Sequence, residues 1–386
     1  MNFIILIFLI AMALLSSLSS FNIYLVVLIS AASFLLIPKY KYWDKESIFI
    51  ILFSILYASV LIIDDRVISW ANTISYAICP ILFYRMGVYI ADKTTKRGLV
   101  IILTMLAACL TFPLLMSTID SIVKTGEFVN IYRTLGSEGF EDDTIGATYY
   151  GLYASLGLAC VSMLFIRMQK VLIYKILALC CVIAALLTTI HLVNRTGLII
   201  LVVCLLLAIL YSTKGSMLKK LLLLGVCSGV VVAVLYWVLP DLTTDEIFEA
   251  YLSREEDADF DLASGGGRFK LSLNVMQKMF YNPFGMPEES YAHNMWLDII
   301  RVAGFLPFVP FIVATFINYK QVWHILKGRD MEIAPYLLGL NVALLLSCMV
   351  EPIIEASALY LYIVMMIWGV NSMVFTKMTH PNSYSV

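Results

Sequence analysis

Runs of about 20 apolar residues recur along almost the whole chain, and that length is what a helix needs to cross the hydrocarbon core of a bilayer. With no water there to satisfy backbone polar groups, such a chain closes its hydrogen bonds inside helices. We read twelve spans, at about 3–19, 21–38, 47–63, 67–90, 98–118, 146–166, 171–192, 196–213, 219–239, 291–318, 333–350 and 355–376. Charged residues make up 14% of the chain and hydrophobic ones 61%, whereas a soluble domain carries roughly 25% charged residues. The expected fold is therefore an all-α polytopic membrane protein. The span at 67–90 is the weakest, because Pro80 and Arg85 interrupt it. No Lys or Arg precedes the first apolar run and a second run follows at once, so residues 1–20 read as a span and not as a cleaved signal.

Basic residues fix the expected orientation, because loops retained in the cytoplasm are enriched in Lys and Arg. With the N-terminus inside, the inner loops and tail hold Lys39, Lys41, Lys45, Lys93, Lys96, Arg97, Arg167, Lys170, Lys175, Lys214, Lys219, Lys220, Lys320, Lys327, Arg329 and Lys377, sixteen of the 26 basic residues. Both termini are then cytoplasmic. Residues 1–239 form nine transmembrane helices. Residues 240–290 form one large outer loop, and 291–386 hold the last three helices and a short tail.

Several polar residues fall next to span ends on the outer side. Arg133 lies in the less polar half of an acidic loop, where a surface ion pair explains it as well as a site does. Arg195 stands in the short turn His191-Leu192-Val193-Asn194-Arg195-Thr196-Gly197 between two apolar runs. There it either snorkels to lipid phosphates or holds an anion, and His191 is one turn back on the same side. Glu351 and Glu355 flank Pro352 at a break between two spans. They are either helix-end carboxylates in water or groups beside a reaction centre.

The long polar stretch in this greasy sequence is 264–304. It opens Ser264-Gly265-Gly266-Gly267-Arg268 and continues as an amphipathic helix with Phe269, Leu273, Met276 and Phe280 on one face. Such a helix lies on a membrane surface. Asn282-Pro283 stops it, and His293-Asn294 stand at the head of the next apolar run. Glycines leading into a helix N-terminus favour an anion, and Arg268 adds a planar fork suited to phosphate. Three glycines as a simple flexible joint is the plainer alternative. Together, Arg133, Arg195, Arg268, His293 and Glu351 suggest an outer-face pocket for a phosphorylated, membrane-embedded substrate.

Other chemistries have no support in the residues. The eight cysteines all fall within spans, as small apolar residues and not as a disulfide framework. No Cys/His spacing suggests a metal, and no cofactor fingerprint is present, so we expect neither. A net charge of −1 with no large basic soluble region argues against nucleic acid.

Gly-Gly-Arg268, the amphipathic helix, Tyr281-Asn282-Pro283-Phe284-Gly285, His293-Asn294 and Gly304 together resemble the O-antigen ligase/polymerase superfamily. Those are bacterial multi-spanning proteins that handle undecaprenyl-diphosphate-linked glycans. Asn194-Arg195-Thr196-Gly197 looks like the family's Ser-Arg-Gly segment, and Arg133 followed by Gly136 resembles its arginine in an earlier periplasmic loop. The resemblance implies a C-type glycosyltransferase fold in the bacterial inner membrane, with the site facing the periplasm. It implies an inverting, metal-independent transfer in which undecaprenyl diphosphate leaves. On that reading Arg195 and Arg268 stabilise the diphosphate and His293 is base or orienter at the acceptor hydroxyl. Arg133, His191, Asn294 and Glu351 are expected around the substrate. Asn194 departs from the family's serine, which removes any hydroxyl role there.

Trp296, Asp298 and Arg301 after His-Asn, with a fairly compact outer loop, favour a polymerase of O-antigen or a related surface polysaccharide over a ligase to lipid A–core. The expected partners are the lipid-linked oligosaccharide, membrane lipid and a chain-length regulator protein. A secondary transporter and a non-enzymatic scaffold are the alternatives of other classes. Mid-span charges are nearly absent apart from Arg85, and no repeat relates the two halves, so the transporter is the weaker of the readings.

The orientation is directly measurable. In a background lacking native cysteines, cysteines placed at 142 and 258 should react with an impermeant thiol reagent on intact spheroplasts, and one at 217 should not. Labelling at 217 alone would invert the topology.

Overall fold

In the computed structural model the described residues are 43–63, 70–130, 134–136, 144–212, 225, 229 and 268–380. Eight helices among them are long and apolar enough to cross a membrane, as an all-α polytopic membrane protein requires. In chain order the elements are α1 (Lys45–Ile63), α2 (Trp70–Lys93), α3 (Lys96–Thr125), β1 (Thr134–Gly136), β2 (Thr144–Gly146) and α4 (Ala147–Ala159), which runs on as a 3₁₀ turn, Cys160–Phe165. Then follow α5 (Leu172–His191), α6 (Arg195–Ser212), α7 (Arg268–Lys278), α8 (Met295–Ala303), α9 (Phe305–Lys327), α10 (Ala334–Val350), α11 (Ile353–Ala356) and α12 (Ala358–Thr379). The expected spans at 3–19, 21–38 and 219–239 lie outside the described residues.

Three local outcomes differ from the sequence reading. Pro80 does not break the weak fourth span: α2 runs through it. Its arginine is accommodated by stacking, with Arg85 Cζ 4.3 Å from the centre of the Trp43 ring. The stretch read as one span at 291–318 is two helices, α8 and α9, with Gly304 between them at φ +73°. Gly304 is required twice over. Its φ suits only glycine, and a Cβ there would overlap the Pro283 carbonyl. The loop read at 119–145 begins with two further turns of α3 and contains a two-stranded antiparallel ladder, Leu135 opposite Ile145.

The described chain divides into two units. One holds the described residues to Cys109, then Arg268–Asp330 and Ser347 onward. Its centre is α12, in which every residue from Leu359 to Val374 is buried. α2 packs directly on α12 because glycines remove the spacing side chains from both: a Cβ on Gly87 would overlap the Met366 carbonyl, and one on Gly369 the Tyr84 carbonyl. Around that contact lies an aromatic layer. The Phe53 ring of α1 is 4.7 Å from Phe311 of α9, which is 5.7 Å from Trp368 of α12. Tyr57 meets Tyr76 edge-on at 5.1 Å.

The second unit, Leu110–Gly267 with Met331–Leu346, is built in the same way from small residues and hydroxyls. Thr118 and Thr188 share a hydrogen bond of 3.0 Å between α3 and α5. A Cβ on Gly157 would press into Thr111 and Ala185, and one on Gly339 into Ser162.

Gly369→Ala should therefore cost about 1–3 kcal/mol through overpacking, read as a lower unfolding midpoint of the detergent-solubilised protein. Gly146→Ala, where a Cβ would meet nothing within 4 Å, is the control and should leave the midpoint unchanged.

Candidate functional site

The site is assembled around the start of α8. Asn294 is its N-cap, with extended backbone (φ −150°, ψ 118°), and its side-chain oxygen accepts from the N–H groups of Trp296 and Leu297 at 3.1 and 3.2 Å. Its amide nitrogen donates to the Met349 carbonyl at 3.3 Å. Asp298, one turn into the helix, reaches back to the loop. Oδ1 accepts from Ala292 N–H at 2.9 Å and Oδ2 from Asn294 N–H at 3.4 Å. His293 lies between those two anchored amides with φ +50°, a conformation uncommon outside glycine though one that histidine tolerates better than most. The helix cap and the carboxylate thus hold its backbone in a strained state. Strain of this kind points towards function. The ring is half-buried, with Nδ1 shut off from the surface, and meets Tyr291 edge-on at 6.4 Å.

Arg301, on the next turn, is 2% exposed although it is a cation. Its guanidinium makes four hydrogen bonds. Nε donates to Asp298 Oδ1 at 3.0 Å, Nη1 to the carbonyls of Glu289 (3.0 Å) and Pro287 (3.4 Å), and Nη2 to Glu355 Oε2. The Tyr291 ring lies 5.3 Å from Cζ. Burial pushes the Asp298 carboxyl above its ordinary value, against the pull of the Ala292 N–H and Arg301. Burial likewise raises Glu355, opposed by its bond to Arg301. Burial works to lower Arg301, but Glu355 and Asp298 outweigh it and hold the guanidinium more firmly protonated. One cation therefore faces two carboxyls at this point.

The same cluster stitches the loop before α8. Met286 N–H donates to the Arg301 carbonyl at 2.7 Å, and Phe305 N–H to the Pro283 carbonyl at 2.9 Å. α7 docks on that loop through Val275, Met286 and Ala292, joined by Met279 and Leu297. Ser272 Oγ adds a bond to the Ala292 carbonyl at 2.9 Å. On the far side of α7, Lys278 and Asn274 both bind Glu289 and hold its carboxyl below the usual range.

The expected site residues fall into three sets. His293, Asn294 and Glu351 lie in the first unit, where Asn294 is tied to Met349, two residues before Glu351. Glu351 is 4% exposed and caps its turn, N–H to the Ser347 carbonyl and C=O from Ile353 N–H. Arg268 is the first residue of α7, the helix that braces the His293 loop. Asn294 is structural, since the helix cap and Met349 use its side-chain oxygen and its amide.

His191 and Arg195 lie in the second unit, either side of the α5–α6 turn. His191 is fully buried, with Nδ1 2.6 Å from the Phe128 carbonyl and Nε2 3.0 Å from Ser121 Oγ. A carbonyl only accepts, so Nδ1 carries the hydrogen and Nε2 accepts from the serine. Both nitrogens serve the fold. Arg195 opens α6. The preceding Asn194 caps it, Oδ1 accepting from Gly197 N–H at 3.2 Å, and is buried against Ala147. Serine is as good an N-cap as asparagine, so Asn194 fills a structural role that either residue performs. Arg133 lies outside the described residues.

Sequence reasoning missed Asp298, Arg301 and Glu355 as a unit. The available signal was an Asp and an Arg three apart inside an apolar helix, a spacing that puts both on one face.

No family model matches the chain, and no curated protein matches it either.

Arg301→Met should destabilise by about 3–5 kcal/mol, because it strands the fully buried Asp298 carboxyl. Arg301→Met with Asp298→Leu should recover most of that loss. Chemical unfolding of the two variants against wild type tests this.

Proposed function

We infer that the protein is a glycosyltransferase of lipid-diphosphate-linked glycans, acting as a polymerase that joins undecaprenyl-diphosphate-linked oligosaccharide units. The observation that carries this reading is the position of His293. It is held in a strained backbone conformation between amides bound by Asp298, on a loop braced by the helix that Arg268 begins. The helix that Arg268 begins and the loop of His293-Asn294, two motif pieces of the resemblance, thus pack on each other. On this reading the twelve spans adopt a C-type glycosyltransferase architecture in a bacterial inner membrane, with this end of the first unit on the periplasmic face.

The chemistry follows from the residue types. An acceptor hydroxyl attacks the anomeric carbon, a C–O bond forms, and the bond from that carbon to the diphosphate oxygen breaks. The hydroxyl proton passes to His293, whose imidazole can take one up near neutral pH. Negative charge grows on the departing undecaprenyl diphosphate, where Arg268 stabilises it with a planar fork of donors. Asp298 and Asn294 take no part in the bond changes. They position His293. No metal and no cofactor is needed.

A positioned base contributes about 10²- to 10⁴-fold in rate. His293→Ala should therefore leave an inserted, folded protein at normal level that makes little or no polymer, seen as surface glycan reduced to core plus one repeat unit on a gel. His293→Gln separates base from orienter, since Gln hydrogen-bonds but takes up no proton. Bare core from a deletion strain would instead assign the ligase reaction. Wild-type chain length from His293→Ala would remove the residue from the site.

A further inference from the structure

A second polar cluster lies in the first unit, at the opening of α1. Asp44 caps α1: its Oδ1 accepts from Ser47 N–H at 2.7 Å, and Ser47 Oγ returns a bond to the Asp44 carbonyl. Asp44 Oδ2 accepts from Tyr84 Oη and from Ser372 Oγ, both at 2.5 Å. Glu46, on the first turn of the same helix, has no exposed surface. The groups facing it are Asp44, Tyr84 of α2, and Asn318 and Gln321 of α9. Asp44 and Tyr84 are the titratable ones, and no basic side chain is among them.

Counting hydrogens shows what this arrangement lacks. Tyr84 has one hydroxyl hydrogen, and Asp44 takes it at 2.5 Å. Glu46 Oε2 is 3.2 Å from the same hydroxyl oxygen, so a full hydrogen bond there needs a hydrogen of its own. Ser372 also has only one, and it too goes to Asp44. Asn318 gives one amide hydrogen to the Trp368 carbonyl at 3.4 Å, and its oxygen accepts from Asn371 at 3.3 Å; its second amide hydrogen and the Gln321 amide are the remaining neutral donors that face Glu46. Glu46 Oε1 and Gln321 Oε1 are both buried acceptors with no donor within hydrogen-bond distance among the described residues. An ionised Glu46 would thus be a fully buried anion beside a second carboxylate, with no cation against it among the described residues, and burying one such charge costs several kcal/mol.

We propose that Glu46 is a proton-binding site: it holds a hydrogen between its carboxyl and Tyr84 or Gln321, next to an ionised Asp44. One added proton supplies the missing donor and removes the second negative charge. Four helices, α1, α2, α9 and α12, meet at this proton, so its release requires water to enter between them. The proposal is independent of the reaction the chain catalyses.

Infrared difference spectra of the full-length protein in lipid nanodiscs at neutral pH, wild type against Glu46→Gln, test it. The expected result is a protonated-carboxyl C=O band in wild type that shifts in D₂O and is lost in the variant, with an unchanged unfolding midpoint, because Gln mimics the neutral acid. A second variant, Tyr84→Phe, should move that band by altering its hydrogen bond, and it decides the matter where Glu46→Gln fails to fold. Carboxylate bands in place of the C=O band would overturn the proposal. So would a Glu46 signal that answers to sodium and not to choline at fixed pH, which would make the site one for a metal cation.

Discussion

The geometry around His293 depends on a single buried guanidinium. Arg301 binds Asp298 on its own helix, Glu355 from the turn before α12, and two carbonyls of the preceding loop. It therefore ties its own helix and the loop before it to Glu355, 54 residues on. Taking such a cation out of water is expensive, and the return comes only when every donor finds a partner. Here four donors do, with an aromatic ring alongside. Of the apolar side chains in the loop that carries His293, only Met286 and Ala292 are buried, so the bonds to Arg301 do much to fix it. α7 then adds a small apolar cluster on its outer side.

The spans were legible because the signal is an average over many residues. Helices begin within about four residues of the expected positions for the described spans, except at 291–318. That failure has a local cause. Hydropathy cannot register the break at Gly304, since Ile299 to Phe305 is apolar throughout apart from Arg301. What breaks the helix is one backbone torsion and the approach of the Pro283 carbonyl. Pro80 is the converse: a residue that argues for interruption is absorbed inside α2, in a chain where helix is the only way to satisfy the backbone.

The candidate site was legible in part, for a different physical reason. Sequence marks residue types that are out of place in an apolar chain, and His191, Arg195, His293 and Glu351 were found that way. It does not say what they touch. His191 is consumed by Ser121 and the Phe128 carbonyl, more than sixty residues away in the chain. Asn294 is consumed by a helix cap and by Met349, 55 residues on. Whether a polar residue is free for chemistry or spent on the fold depends on such long-range partners, and these appear only once the helices are packed.

The two polar clusters of the first unit show how charge balance sorts buried acids into different roles. Along α12, Ala358 and Ser372 are fourteen residues apart, about 21 Å at the rise of an α-helix. The aromatic layer of Phe53, Tyr57, Phe311 and Trp368 fills the space between them. At one end Arg301 faces Asp298 and Glu355, and its hydrogen bonds to both make them rigid anchors. At the other end Asp44 and Glu46 meet with no cation against them among the described residues. Three donors satisfy Asp44, which leaves Glu46 to find its own hydrogen. The same side-chain chemistry thus gives a fixed scaffold where a guanidinium is present and a proton site where none is. A carboxyl in an apolar bundle is therefore best read by counting the donors around it, since burial alone describes Asp298 and Glu46 identically.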